Sequence, residues 1–530
     1  MFKMSDIVPV KRALISVSDK TDLVALAKRL ASHGVQIIST GGTARKLQDA
    51  GLDVTPIDQV TDFPEMMDGR VKTLHPRVHG GLLALRDNEQ HVASMKEHGI
   101  EAIDLVCVNL YPFEATIVKQ DVTDAEAIEQ IDIGGPSMIR SAAKNHRFVA
   151  VVTDPSQYDD VCRDLDSHQG GTSLALRNKL AAAAFARTAA YDTAIASWMS
   201  HRGVQAFPDP MILRLERGGE LRYGENPHQA GSVYRDLRCT EPSVTNAEQM
   251  HGKALSFNNL YDANGALELV KEIAADDFAA ASVIKHANPC GFAIADNLAD
   301  AFAHAYDGDP LAAFGGIVAV NRTIDVATAE RIVEGEKFLE VIIAPEYDAA
   351  ALDLLRDRWK NVRILRTGAL PHPGDRDLGE MDMKRLTGGL LVQERDLATI
   401  DPVKWEHKAG PAPDGDMLKQ MCLATIAVKH IKSNAVCLVN DSALVGSGAG
   451  QMDRVASCNI AIEKAGDRAK GAVVGSDAFF PFRDGPDLLI AAGVRAIAHP
   501  GGSKRDDETI AACNDAGVTL MFTGMRHFRH

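Results

Sequence analysis

A chain of 530 residues is too long for one hydrophobic core and implies roughly two to four domains. Its 45% hydrophobic and 24% charged composition is that of an ordinary soluble globular protein, and a formal net charge of -15 argues against a nucleic-acid-binding surface. No segment approaches the ~18 apolar residues of a membrane span, residues 1–20 carry no signal-peptide pattern, and eight cysteines without a C-x-x-C spacing fit neither a disulfide framework nor a zinc site. A cytoplasmic, reducing location is expected.

Between Ala13 and Asp154, short apolar runs alternate with helical patterns. Residues 13–17, 35–38, 105–108 and 148–152 predict strands, and 22–30 predict an amphipathic helix. Such alternation predicts a mostly parallel sheet wrapped by helices. An Ala-rich helix predicted over 173–199 closes a first unit, 1–200. Residues 201–210, with Gly203, Pro208 and Pro210, have linker composition. The remaining 211–530 predict a second α/β region of two subdomains, divided between about 360 and 415, where Pro, Gly and Asp cluster. No repeat of fixed period is visible.

The first unit carries signals for an anion. Ser39-Thr40-Gly41-Gly42-Thr43 follows a predicted strand and opens a helix predicted over 44–50, so backbone amides and the positive helix end can face a phosphate. It has neither the Walker A nor the Rossmann spacing, and a plain strand-to-helix turn remains the alternative. In Gly69-Arg70-Val71-Lys72-Thr73-Leu74-His75-Pro76, alternation along an extended segment would put Arg70 and Lys72 on one side, suited to an anion or to a solvated edge. Tyr111 in Asn109-Leu110-Tyr111-Pro112-Phe113, Asp132 before Ile133-Gly134-Gly135, and Lys144 could handle protons if they converge.

In the second region, Lys285-His286-Ala287-Asn288-Pro289-Cys290-Gly291 follows the apolar run 280–284, read as a buried strand, and Asn-Pro and Gly predict a loop after it. A cation beside an imidazole at a strand end suits proton removal coupled to stabilisation of negative charge. A zinc-deaminase signature, H-x-E with P-C-x-x-C, fails here, because Asn288 stands two residues after His286 and Ala293 three after Cys290. Further turn-rich, polar segments are Leu221-Arg222-Tyr223-Gly224-Glu225-Asn226-Pro227-His228-Gln229, Ser256-Phe257-Asn258-Asn259-Leu260-Tyr261-Asp262, and Lys432-Ser433-Asn434-Ala435. Phe314-Gly315-Gly316 could admit a flat ring, and Gly448-Ala449-Gly450-Gln451 permits close backbone approach.

Taken in order, these motifs, together with Ser16-Val17-Ser18-Asp19-Lys20 and Ser-Asp-Ala-Phe-Phe-Pro-Phe-Arg-Asp, make the chain resemble the bifunctional family that joins AICAR formyltransferase to IMP cyclohydrolase. The likeness runs to Arg526, with one departure at Asp22, where Gly often follows Asp-Lys-Thr. It implies a methylglyoxal-synthase-like N-terminal domain and a C-terminal transformylase region of two cytidine-deaminase-like subdomains that hold no zinc. It further implies 10-formyltetrahydrofolate as cosubstrate, AICAR, formyl-AICAR, IMP and folate as ligands, and a homodimer. A monovalent cation is left open; no nucleic acid or membrane partner is implied. By resemblance His286 removes a proton, Lys285 steadies charge and Asn434 orients the formyl group, while Lys72, Tyr111, Asp132 and Lys144 carry ring closure. Ser16, Lys20, Thr40, Gly41, Gly42, Thr43, Arg70 and Thr73 would hold phosphate and ribose in the first site. Arg222, Tyr223, Asn259, Phe314, Gly315, Gly316, Gln451, Phe479 and Arg526 would line the second. A one-activity lyase of the methylglyoxal-synthase type would leave about 320 residues unexplained, and a non-catalytic nucleotide-binding protein would have no use for Lys285-His286.

Overall fold

Apolar runs too short for helices, bounded by turns, do form strands. The computed structural model describes residues 6–64, 66–119, 121–200, 207–237, 239–376 and 379–530. It divides into two compact units, Met1–Arg214 and Leu215–His530. Residues 201–206 of the expected linker lie outside the described residues.

In the first unit, the four predicted strands appear as Arg12–Val17, Gln36–Ser39, Leu105–Asn109 and Ala150–Val152. A fifth, Val54–Pro56, is too short to show a period. All pair in parallel, in the order Val54–Pro56, Gln36–Ser39, Arg12–Val17, Leu105–Asn109, Ala150–Val152. The chain therefore builds outward from Arg12–Val17 in one direction and then returns to its other side. That reversal opens a crevice at the carboxyl ends of the two central strands. Helix Leu23–Ser32 buries Leu23, Leu26, Ala27 and Leu30 as one stripe against this sheet's core. Asp22, which precedes it, has φ 51°, a left-handed conformation that explains why glycine suits the position.

The second unit uses one element order twice. Its first half runs strand Glu248–His251, helix Phe257–Val270, hairpin Ala279–Lys285 with Asn288–Ala295, then strands Gly316–Val320, Leu339–Ala344 and Arg363–Arg366. The second half runs strand Glu406–Ala409, helix Gly415–Lys429, hairpin Val436–Asn440 with Ala443–Gly448, then strands Val473–Ser476, Ala496–His499 and Thr519–Phe522. In each half the hairpin's first strand pairs antiparallel with the next strand, and the last three strands run parallel. The two expected subdomains thus share one 12-stranded sheet, fused where Ala293 pairs antiparallel with Ala443.

The segment joining the halves carries the hairpin Met381–Leu386 with Gly389–Glu394. Arg376 and Arg395, on either side of that hairpin, bond Glu241 and Glu268, which also bind the buried Lys271. Burial alone would push the Glu241 carboxyl up, but hydrogen bonds from Arg395 and Lys271 outweigh it and hold it at about 2. Among the described residues, no helix is long and apolar enough to cross a membrane.

One expectation is corrected here. Asn288 to Gly291 is not a loop but the start of strand Asn288–Ala295. Pro289 is tolerated because the ladder shifts register between Val283 and Ile284, at an irregularity where a missing N–H costs little. Gly291 is required for packing, since a Cβ there would run into the Ala305 carbonyl of helix Leu298–Tyr306. Gly291→Ala is therefore expected to destabilise the second unit by about 1–3 kcal/mol through overpacking. Thermal unfolding followed by calorimetry should show that unit's transition lowered and the first unit's unmoved.

Candidate active sites

The carboxyl ends of the first unit's central strands gather the predicted phosphate residues. Ser16 Oγ lies 2.8 Å from Thr40 Oγ1, across the two strand ends. Asn109, closing the third, accepts the backbone N–H groups of Ser18 at 2.6 Å and Asp19 at 3.0 Å, so its amide spans the crevice. Helix Gly41–Asp49 begins directly after Thr40. Gly41 has φ +43°, and a Cβ added there would lie 3.4 Å from Lys72 Nζ, which puts that ammonium at the helix's amino end.

Thr43 anchors the glycine turn from within. Its hydroxyl accepts from Val17 N–H at 3.1 Å and donates to Val17 O at 3.0 Å, tying the helix to the central strand. A cavity of ≈ 260 Å³ opens on one side of the glycine turn, lined by Thr40, Gly41, Arg45, Gln48, Asp58 and Lys72 among others. A second, of ≈ 540 Å³, opens on the other side and brings Lys20 opposite Gly42.

The segment 69–76 is not extended. Gly69 has φ +81°, and bonds from Arg70 N to Met67 O and Lys72 N to Gly69 O wind it into consecutive turns. Two-residue alternation therefore fails. Lys72 points to Gly41, whereas exposed Arg70 pairs with Glu129. Thr73 is buried against Gly134, where a Cβ would meet its Oγ1 at 2.5 Å.

Asp132 joins this group through backbone geometry. Its Oδ1 accepts from Gly135 N at 2.8 Å, and Gly135 has no room for a Cβ beside the carboxylate. Tyr191, buried in the long helix Leu174–Ser200, fixes the same bend by donating to Gln130 O and accepting from Asp132 N at 2.9 Å. Burial raises the Asp132 carboxyl above its ordinary range, against the opposing N–H bonds of Gly135 and Tyr111. Burial and then the Asp132 charge raise the Tyr111 phenol. Lys144 stands apart. It is exposed at the end of helix Gly134–Lys144, about 15 Å along the axis from Gly134 at 1.5 Å per residue.

In the second unit, Lys285-His286-Ala287-Asn288 forms the hairpin turn itself. His286 has φ 53° and Ala287 φ 60°, both left-handed, as a two-residue type I′ turn demands. Neither is glycine, so each carries a conformational cost of about 1–2 kcal/mol. The turn exposes the imidazole and sends Lys285 back, where Nζ donates to Phe314 O at 3.2 Å and Gly315 O at 3.1 Å. Two of the ammonium's three protons are thereby placed and one remains to donate. Phe314-Gly315 thus serves as a carbonyl clamp on Lys285, while the exposed Phe314 ring rests 5.5 Å from that of Phe338. Buried Gly316 continues the chain as the first residue of strand Gly316–Val320. Burial pushes the neighbouring Cys290 thiol up to about 12, which removes it as a thiolate nucleophile.

Hydrogen bonds carry this turn across to the other half. Asn288 Nδ2 donates to His286 O at 3.1 Å, and its Oδ1 accepts from Lys432 N at 3.0 Å. Gly450 N donates to Lys432 O at 2.7 Å, and Asn434 Nδ2 donates to Gln451 O at 2.8 Å. Arg454 Nη2 donates to Asn434 Oδ1 at 2.9 Å, which fixes the amide's orientation and leaves one N–H to donate outward. Arg454 is itself held by the buried Asp477, which also accepts from Ser433 Oγ at 2.5 Å.

The remaining predicted residues have local partners. Asn259 caps its own helix, accepting from Ser256 N at 3.2 Å. Arg222 stacks on Tyr223 and donates to its hydroxyl at 2.7 Å. Phe479 is exposed two residues past Asp477, and Arg526 stacks on Phe528 beside His527, whose N–H donates to Asp477 O. Sequence reasoning passed over Arg454, and it quoted Asp477 and Asp262 within motifs without giving either a role.

Each α/β unit gathers a candidate constellation of its own, the arrangement expected of a bifunctional enzyme. The profile of the AICARFT/IMPCHase bienzyme family matches residues 142–464 and that of the MGS-like domain residues 22–137. The chain belongs to the AICARFT/IMPCHase bienzyme family. Among its relatives, "Bifunctional purine biosynthesis protein PurH" of Magnetococcus marinus is 52% identical, with 98% of this chain and 99% of the relative covered. Proteins of the same name from Roseobacter denitrificans and Rhodopirellula baltica are 51% and 48% identical, each covering 99% of this chain and 100% of the relative.

Asp132 yields a pH test. A carboxyl raised by folding stabilises the fold fully at low pH and progressively less as pH rises through its folded value. Asp132→Asn keeps an acceptor for Gly135 N–H but loses the charge. It should raise the first unit's melting temperature at neutral pH, with the gain vanishing below the ordinary carboxylate range. Melting curves that differ equally at both pH values would contradict this.

Proposed function

We propose that the second unit transfers the formyl group of 10-formyltetrahydrofolate to the 5-amino group of AICAR, and that the first closes formyl-AICAR to IMP. In the transfer, His286 takes a proton as the amine attacks the formyl carbon. Lys285 donates its remaining N–H to the oxyanion or to the departing folate nitrogen, and the outward N–H of Asn434 orients the formyl oxygen. The observation that carries this reading is the convergence of a clamped ammonium, an exposed imidazole and a locked amide at one end of a single sheet. Such donors stabilise developing charge without reorganising as it forms. The folate and AICAR pockets would draw on Arg222, Tyr223, Asn259, Gln451, Phe479 and Arg526.

Ring closure joins two groups already on one molecule, so it needs orientation and proton handling more than a nucleophile. Lys72 would polarise the formyl oxygen beside the helix end, and Asp132 with Tyr111 would move protons as water leaves. Lys20, Thr40, Gly41 and Gly42 would hold the phosphate, with Ser16 and Thr73 near the ribose. Around the turn, Phe257, Tyr261, Leu311 and Phe314 are exposed, which supports a homodimer whose second copy covers them. Eight cysteines scattered without a C-x-x-C spacing support a cytoplasmic site of action.

His286→Ala should slow single-turnover formyl transfer by about 10²–10⁴-fold, the usual worth of a positioned base. Closure of formyl-AICAR supplied directly should keep its rate. Wild-type transfer by this variant would overturn the assignment.

A further inference from the structure

A turn with two non-glycine residues at positive φ needs something to hold it, and here a carboxylate does. Asp262 projects from helix Phe257–Val270, and its Oδ1 accepts the Ala287 N–H at 2.8 Å. The His286 N–H also bonds this carboxylate. The helix itself runs close under the turn, since a Cβ on Gly265 would lie 3.9 Å from Ala287 O. The helix is anchored in turn by the reciprocal Ser256–Asn259 cap at its start and by buried Ala263, Ala266, Leu267 and Val270 along its length. Asp262 therefore links a rigid, packed element to the backbone of His286.

The duplicated half supplies an internal comparison. Ser256 and Asp414 are the N-caps of the corresponding helices, so Gln420 occupies the place of Asp262, six residues on. The second hairpin also turns through two positive-φ residues, Asp441 at 48° and Ser442 at 61°. There the buried Gln420 leaves Oε1 without a partner and donates to Asp416 instead. The hairpin without a Lys-His pair thus lacks this brace. Burial raises the Asp262 carboxyl above its ordinary range, so the charge is kept there at a cost to the fold.

We propose that Asp262 is a positioning residue for formyl transfer, its carboxylate holding the His286–Ala287 turn so that the imidazole meets the amine of AICAR. This rests on the assignment of His286 as the base. Asp262 does not itself touch the reacting atoms, so its loss should appear in kcat rather than in substrate affinity.

The test uses the full chain with Asp262→Ala, Asp262→Asn and, in parallel, His286→Ala. Steady-state formyl transfer gives kcat and KM, calorimetry gives AICAR affinity, and ring closure serves as a control on the same preparations. Asp262→Ala should lower kcat by about a hundredfold, the usual effect of a misplaced catalytic group, with AICAR affinity and ring closure kept. Asp262→Asn retains an acceptor for Ala287 N–H and should recover most of that loss. Wild-type kcat in Asp262→Ala, an equal loss in Asp262→Asn, or a loss confined to AICAR affinity would each overturn the proposal. Unimpaired transfer in His286→Ala would instead overturn the base assignment beneath it.

Discussion

The antiparallel seam between strands Asn288–Ala295 and Ala443–Gly448 is the constraint on which the larger unit depends. Because the two strands run in opposite directions, the turn that begins the first lies at the end of the sheet where the second finishes. One half therefore contributes Lys285 and His286, and the other contributes Asn434 and Gln451, with neither set complete alone. Asn288 makes the junction specific, since its one side chain binds His286 O and Lys432 N on opposite sides of the seam. A half-buried amide satisfied at both ends orients its partners as well as holding them.

The smaller unit solves a related problem by topology instead. Its parallel sheet reverses direction of growth at Arg12–Val17, and the crevice this leaves collects Ser16, Thr40, Asn109 and the amino end of a helix. Side chains that resemble ligand contacts are partly consumed in making that crevice. Thr43 ties helix to strand and Arg70 pairs with Glu129, while Lys72 Nζ lies beside Gly41 at the helix's amino end.

Much of this was legible in the sequence, and the failures have physical causes. Short apolar runs marked the central strands, an amphipathic stripe the helix Leu23–Ser32, and Ala-rich composition the long helix Leu174–Ser200. Val54–Pro56 was missed because three residues cannot display a period. Asn-Pro-Cys-Gly read as a loop because local punctuation cannot reveal a shift in ladder register. The duplication of the second unit was invisible because it lies in the order of elements; equivalent positions hold His286 and Asp441, or Asp262 and Gln420. Residues proposed to face substrate stand out in sequence more readily than those that hold them, because a brace such as Arg454 or Asp262 is defined by partners distant in sequence.

We propose that two chemistries run at two separate constellations in one chain. Full-length Lys285→Ala and Lys72→Ala proteins, assayed apart and then mixed, test it most directly, with AICAR and 10-formyltetrahydrofolate supplied and IMP measured. No IMP is expected from either variant alone, and IMP from the equimolar mixture, as formyl-AICAR made by one is closed by the other. IMP from a single variant, or none from the mixture, would contradict it.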